Sequence, residues 1–196
     1  MRRARSALLK AGWAMASRLR VCWFRLQNDG STIPWSTTIG AGVRIRVTDG
    51  GLLHLAGHVT LERNVFICAQ AARVEIGARS FIGTGTIIAA KVGVSIGADA
   101  LIAEYVTIRD QNHAIGPDGL ARDSEFVVAP ITIGVNVWLG AKATVLKGVD
   151  IGEGTVIGAN AVVTHNVPPN CVAVGVPARV AGHAGENARP AGASRA

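Results

Sequence analysis

From Ile133 onward an aliphatic residue stands at every sixth position: Ile133, Leu139, Val145, Ile151, Ile157 and Val163. Four places after each comes Val137, Ala143, Val149, Thr155, Ala161 or Val167, always small or β-branched. The same spacing runs earlier through Leu55, Leu61 and Ile67, then Ile76, Ile82 and Ile88, then Ile96, Ile102 and Ile108, with Ile39 and Ile45 beginning the series. A period of six matches neither a helix nor a plain alternating strand. It fits short strands separated by turns, each sending one aliphatic side chain inward. Gly134, Gly140, Gly152 and Gly158 directly follow four of these positions, where the backbone bends sharply and a Cβ would crowd the corner. Three hexads make one triangular coil of 18 residues, as from Ile133 to Ile151, and stacked coils bury a continuous aliphatic column. The starts at Leu55, Ile76 and Ile96 are 21 and 20 residues apart, so two corners carry small insertions. The pattern therefore predicts an all-β fold, a parallel solenoid of stacked coils over residues 31–180.

Ahead of the hexads the period changes. Leu8, Gly12, Met15, Leu19, Cys22, Trp23 and Leu26 recur at spacings of three and four, the mark of an apolar stripe on a helix. Residues 1–30 are thus expected to form a basic amphipathic helical segment. Two uses fit it equally: packing against its own domain or a neighbouring subunit, or lying on an anionic membrane surface through residues 1–27 with Trp13 and Trp23 near the headgroups. A signal peptide ranks last, because Lys10 interrupts its short apolar region. After the solenoid, residues 181–196 read as a disordered Ala/Gly tail.

Charge sharpens this division. The net charge is +7, from 20 Lys and Arg against 13 Asp and Glu. Seven of the bases (Arg2, Arg3, Arg5, Lys10, Arg18, Arg20 and Arg25) lie in residues 1–28, which hold no acid, so the remaining 13 bases match the 13 acids. The basicity belongs to the N-terminal segment, and no nucleic-acid-binding motif accompanies it, which argues against a nucleic-acid partner. Cys22, Cys68 and Cys171 are odd in number and far apart. They suit neither a disulfide framework nor a zinc pattern, and fit a reducing, cytoplasmic setting. No stretch has the length of an apolar transmembrane span.

Two interruptions of the hexads carry the candidate chemistry. After Ile108 the chain reads Arg109-Asp110-Gln111-Asn112-His113-Ala114-Ile115, and the hexads resume only at Ile131–Ile133. A loop projecting at 111–130 from a regular solenoid is usually functional or disordered, and this one opens with a histidine. The second interruption is the ending, Thr164-His165-Asn166-Val167-Pro168-Pro169-Asn170, followed by Gly175-Val176-Pro177-Ala178-Arg179. Together with Asn136-Val137-Trp138-Leu139-Gly140, these segments resemble the galactoside, maltose and polysaccharide O-acetyltransferase branch of the hexapeptide-repeat acyltransferases. The similarity runs from about residue 55 to 180 and is most specific over 108–180.

The resemblance implies a left-handed parallel β-helix, and homotrimers that bind acetyl-CoA, without a metal, along the groove between neighbouring β-helices. It implies that His113 is the general base and that donor contacts lie near Ala103, Trp138, Ala141, Ala159, Thr164, His165 and Arg179. Acceptor contacts fall on Asn112 and on Gly83, which stands where galactoside and maltose enzymes often carry asparagine, a departure that weighs against those two acceptors. The implied reaction moves an acetyl group from acetyl-CoA to a sugar hydroxyl, on a polysaccharide or lipopolysaccharide precursor, in the cytoplasm or at the inner face of the membrane. N-acetylation of an amino sugar and O-acetylation of an antibiotic are the alternatives within the class.

The chemistry gives a histidine its reason. A hydroxyl attacks a thioester poorly until its proton is removed, and a neutral imidazole is an available base near neutral pH. Turn N–H groups beside the loop are candidate donors to the developing oxyanion. No paired nucleophile is evident, which favours direct transfer over a covalent acyl-enzyme. Asp110, Asp123 or Glu125 could orient His113, and the spacing does not choose among them. Plainer readings stand beside these: Trp138 as interface packing, Arg179 and Lys142 as solvated charges, and the whole solenoid as a non-enzymatic scaffold. A zinc-dependent γ-carbonic anhydrase should carry a histidine five residues after the first, where this chain has Asp118.

Overall fold

Every aliphatic position of the hexad series lies in a short strand, and the strands stack into three parallel sheets that form the faces of a β-helix. The computed structural model describes residues 2–28, 30–114 and 125–185, with helix side chains from residue 12 onward. The first face runs through Thr38–Ile39, Thr60–Leu61, Phe81–Ile82, Leu101–Ile102, Trp138–Leu139, Val156–Ile157 and Cys171–Val174. The second runs through Arg44–Thr48, Phe66–Gln70, Ile87–Ala90, Thr107–Arg109, Thr144–Val145 and Val162–Val163. The third is Leu52–Leu55, Arg73–Ile76, Gly93–Ile96, Ile131–Ile133 and Asp150–Ile151.

The register puts hexad residue on hexad residue. Ile82 pairs with Ile102 and Ile102 with Leu139 on the first face, and Ile88 pairs with Ile108 and Ile108 with Val145 on the second. On the third, Ile76 pairs with Ile96 and Ile96 with Ile133. Three aliphatic columns thus meet at the axis, and Leu61, Ile67, Ile82, Ile88, Ile102 and Ile108 are fully buried. Ile45, at the open end, is only partly buried against this core.

The corners divide their tasks between two positions. The left-handed backbone conformation falls three residues after the inward aliphatic, at Asn136 (φ 54°), Lys142 (φ 61°) and Asn160 (φ 59°). The glycine directly after the aliphatic does different work. A Cβ on Gly140 would lie 2.5 Å from the backbone nitrogen of Ala159 in the next coil. Glycine is needed there for close stacking of coils. The insertions expected from the 20- and 21-residue spacings all fall on one edge of the prism, between the second and third faces, at Ala71–Ala72 and Lys91–Val92. The projecting loop leaves from this same edge.

The N-terminal helix, Arg2–Gln27, packs on the first coil, but not through the expected stripe. Val21 and Phe24 are buried, as are Ser17 and Asn28, at spacings of four, three and four. Met15, Leu19, Trp23 and Leu26 are 58–78% exposed on the opposite side. The physical reason lies in the sheet edge. Strand Thr38–Ile39 presents unpaired backbone groups, and the helix satisfies them: Ile39 N–H donates to Ser17 Oγ (2.8 Å) and Arg20 donates to Ile39 O (3.0 Å). Arg25 likewise donates to Ile33 O at 2.7 Å. Polar partners select the docked side and leave the apolar stripe outward.

At the other end Arg179–His183 pairs antiparallel with Cys171–Val174. This strand runs three residues past residue 180, the expected end of the solenoid, and so includes the first residues of the expected tail 181–196, of which 186–196 lie outside the described residues. Among the described residues, no helix is long and apolar enough to cross a membrane.

Candidate active site

The loop that interrupts the hexads begins as a hairpin. Gln111–His113 pairs antiparallel with Phe126–Val128, with His113 opposite Phe126 and Asn112 opposite Val127. Ala114 N–H donates to Glu125 O (2.8 Å) and Ala129 N–H to Asp110 O (3.0 Å), so both ends of the loop are tied. Residues 115–124, including Asp118 and Asp123, lie outside the described residues. His113 is exposed, and its ring sits 4.3 Å from that of Phe126, tilted by 41°. The Lys91 ammonium lies 4.2 Å from the same Phe126 ring and donates to Gln70 Oε1 at 3.1 Å. Phe126 is therefore an aromatic platform that both the His113 ring and the Lys91 cation contact.

Asp110 holds the root of this hairpin. Its carboxylate is wholly buried and accepts backbone N–H bonds from Lys91 (2.9 Å), Val92 (2.7 Å) and Gly93 (2.8 Å). The Gln111 amide, turned to donate, adds bonds to Asp110 and to Ala89 O. A carboxylate given over to three donors of the coil below fixes where the loop departs. Asp110 thus serves as the loop's foundation. Sequence reasoning missed Phe126 and Lys91. The run Phe126-Val127-Val128, apolar within a polar loop, was the available signal.

The residues expected at the donor fall in three places. Ala103, Ala141 and Ala159 lie at the corner between the first and second faces, in successive coils. Thr164 and His165 follow the last strand of the second face, on the same edge from which the hairpin leaves, two strands farther along. Strand spacing puts that separation at about 10 Å. Thr164 Oγ1 and His165 Nδ1 are hydrogen-bonded at 2.8 Å. His165 and Asn166 line a cleft with Ala178, Arg179 and Val180, so His165 and Arg179 are brought together. Arg179 is exposed and donates to Ala178 O at 2.9 Å. Its guanidinium has five N–H groups in all, a donor set suited to phosphate.

Trp138 is elsewhere. It is 48% exposed on the first face, in a depression shared with Leu101, Asn136 and Val156. Asp99 borders this depression and makes two 2.6 Å bonds to Arg79, which hold its carboxyl below the usual range. Gly83 is buried at a corner, where a Cβ would lie 2.5 Å from the Ala103 backbone, so no side chain fits there. Among the described residues, no three His, Cys, Asp or Glu are grouped to hold a metal ion.

Comparison with known proteins adds to this geometry. Residues 73–104 and 130–165 match the family described as hexapeptide repeat of succinyl-transferase. The chain is 39% identical over 112 residues to galactoside O-acetyltransferase of Escherichia coli, a match covering 57% of this chain and 55% of that protein. It is 35% identical over 172 residues to a putative lipopolysaccharide biosynthesis O-acetyl transferase of the same organism, covering 81% of this chain and 74% of the relative. A probable acetyltransferase of Mycobacterium tuberculosis is 29% identical over 86% of this chain and 57% of its own length. The chain thus spans little more than half of the galactoside and mycobacterial relatives. The fold is shared with the polySia specific acetyltransferase NeuO (TM-score 0.62, 23% identity, 76% of this chain and 87% of that one). It is also shared with a mutant of AntD, an N-acyltransferase from Bacillus cereus, in complex with dTDP and coenzyme A (TM-score 0.64, 19% identity, 82% and 87%).

Proposed function

This chain belongs to the hexapeptide-repeat acyltransferase family, in the branch of the galactoside, maltose and polysaccharide O-acetyltransferases, and on that premise we propose that it transfers an acetyl group from acetyl-CoA to a sugar hydroxyl. The observation that carries the reading is His113, presented on a hairpin whose root is clamped by buried Asp110 and whose ring rests on Phe126. In the proposed reaction the imidazole takes the acceptor hydroxyl's proton as oxygen attacks the thioester carbonyl. The C–O bond forms, the C–S bond breaks, and the proton passes to the departing thiolate.

Arg179, with Thr164 and His165 nearby, would hold the phosphates of the donor, and the small residues Ala103, Ala141 and Ala159 leave room for its pantetheine arm along the corner. Trp138 faces another way in a single chain. A homotrimer, in which one copy's first face lies beside another's hairpin edge, reunites these positions in one groove. The outward row Leu101 and Trp138, 46% and 48% exposed, supplies an apolar surface for that contact. The names of the Escherichia coli relatives support a saccharide acceptor, on a polysaccharide or lipopolysaccharide precursor, with Asn112 beside it on the hairpin. The buried, side-chain-free corner at Gly83 leaves acceptor recognition to other groups. The reading sets the reaction in the cytoplasm, where the three free cysteines stay reduced.

Calorimetry with acetyl-CoA tests it, using the wild type and Arg179→Ala alongside light scattering. Loss of a charge-assisted phosphate contact should weaken binding by roughly 10–100-fold. A folded trimer that binds no acetyl-CoA would make the solenoid a scaffold.

A further inference from the structure

The N-terminal helix carries an apolar face that its own domain does not use. The docked side is Ser17, Val21, Phe24 and Asn28. At about 100° per residue, Met15, Leu19, Cys22, Trp23 and Leu26 lie on the far side of the helix. All five are exposed, Leu26 to 78%. Trp13, at one flank, is 49% exposed. A continuous row of large apolar side chains on a helix of 26 residues marks a surface that something covers.

Charge identifies what covers it. Residues 1–28 carry seven bases and no acid. Arg20 and Arg25 are engaged with backbone carbonyls of the solenoid, while Arg18 stays exposed beside the apolar row. A second copy laid on this face would bring a segment of seven bases and no acid against its like, and the rest of the chain, with 13 bases and 13 acids, has no acidic excess to offset the repulsion. An anionic lipid surface matches both halves of the face at once. Acyl chains receive Leu19, Trp23 and Leu26, and headgroups receive Arg18 at the edge of the row. The helix is not apolar enough to cross a membrane, which leaves it in the interfacial plane.

We propose that this helix seats the protein on anionic membrane, its outward apolar row inserted among the lipids while Ser17, Val21, Phe24 and Asn28 keep it fastened to the first coil. The proposal is independent of the acyl-transfer reading, since it concerns a surface on the other end of the solenoid's chemistry.

The test is co-sedimentation of the full chain with vesicles of phosphatidylglycerol and phosphatidylcholine, against phosphatidylcholine alone. Binding to the anionic vesicles should be at least about tenfold tighter, with Trp emission shifted to the blue, and should weaken several-fold between about 0.1 and 0.5 M salt. Leu19→Glu with Trp23→Glu should lose at least about tenfold in vesicle binding, with melting temperature unchanged because neither side chain faces the domain. Arg18→Gln should lose about fivefold on anionic vesicles only. Equal partition onto both vesicle types, or unchanged binding by the double variant, overturns the proposal. So does a double variant that changes oligomeric state by light scattering while the wild type ignores vesicles, since a second copy would then be the cover.

Discussion

Replacing Asp110 by alanine tests how the histidine hairpin is held. The carboxylate accepts three backbone N–H groups, of Lys91, Val92 and Gly93, at 2.7–2.9 Å. Hydrogen bonds to a charged acceptor contribute about 1.5–3 kcal/mol each, and a donor left without a partner costs about 1–3 kcal/mol. Water reaches part of this corner, because Val92 is 44% exposed, so the lower end of the range applies. Three donors at about 1–1.5 kcal/mol each give a loss of about 3–5 kcal/mol. At roughly 2–4 °C per kcal/mol for a chain of this size, the melting temperature should fall by about 6–20 °C. Asp110→Asn, which keeps one acceptor oxygen, should fall by about half as much. Hydrogen exchange by mass spectrometry reads the cause directly: amides of 91–93 and the hairpin strand 111–113 should exchange faster, while those of 139–163 keep their protection. Acetyl transfer should drop by at least about tenfold, since small misplacements of a catalytic group are costly. A variant with wild-type melting temperature and unaltered exchange at 91–93 would show that Asp110 does not clamp the hairpin.

His113→Ala should lower turnover, followed by release of free thiol, by about 10²–10⁴-fold with acetyl-CoA affinity intact; near-normal turnover removes His113 as the base. Gly140→Val should destabilise the fold by about 3 kcal/mol or more, because its Cβ would lie 2.5 Å from the next coil's backbone. Gly182→Ala, with no heavy atom within 4 Å of the added Cβ, should stay within about 0.5 kcal/mol, and equal melting curves for the two variants would refute the stacking argument. Arg79 holds the Asp99 carboxyl below its ordinary range through their hydrogen bonds, so the pair's contribution exists above the unfolded-state pKa and is lost as pH falls through the folded one. Asp99→Asn should therefore lower the melting temperature slightly at neutral pH and low salt, with the difference vanishing in acid; a difference that persists there contradicts the assignment.

Much of this molecule was legible along the chain because a β-helix repeats one local rule. An inward aliphatic every sixth residue sets the strands, and stacking like on like sets the register, as Ile88, Ile108 and Val145 show. The interruption after Ile108 marked the candidate site for the same reason: a repeat makes its own exceptions visible. His113 was found that way. The aromatic platform at Phe126 was not, because it lies 13 residues on, across a hairpin whose pairing leaves no periodic trace.

What the chain alone determined, then, is the coil, its column of aliphatic residues and the place where it breaks, all consequences of local period. The tertiary structure decided which groups meet across coils. The side of the helix that docks was chosen by Ser17 and Arg20 reaching Ile39, 22 and 19 residues away, and not by the strength of the apolar stripe. Asp110 found its partners 17–19 residues back, and Gly140 owes its identity to the backbone of the following coil. A pattern of apolar residues records how much surface must be covered, whereas unpaired backbone groups at a sheet edge decide what covers it.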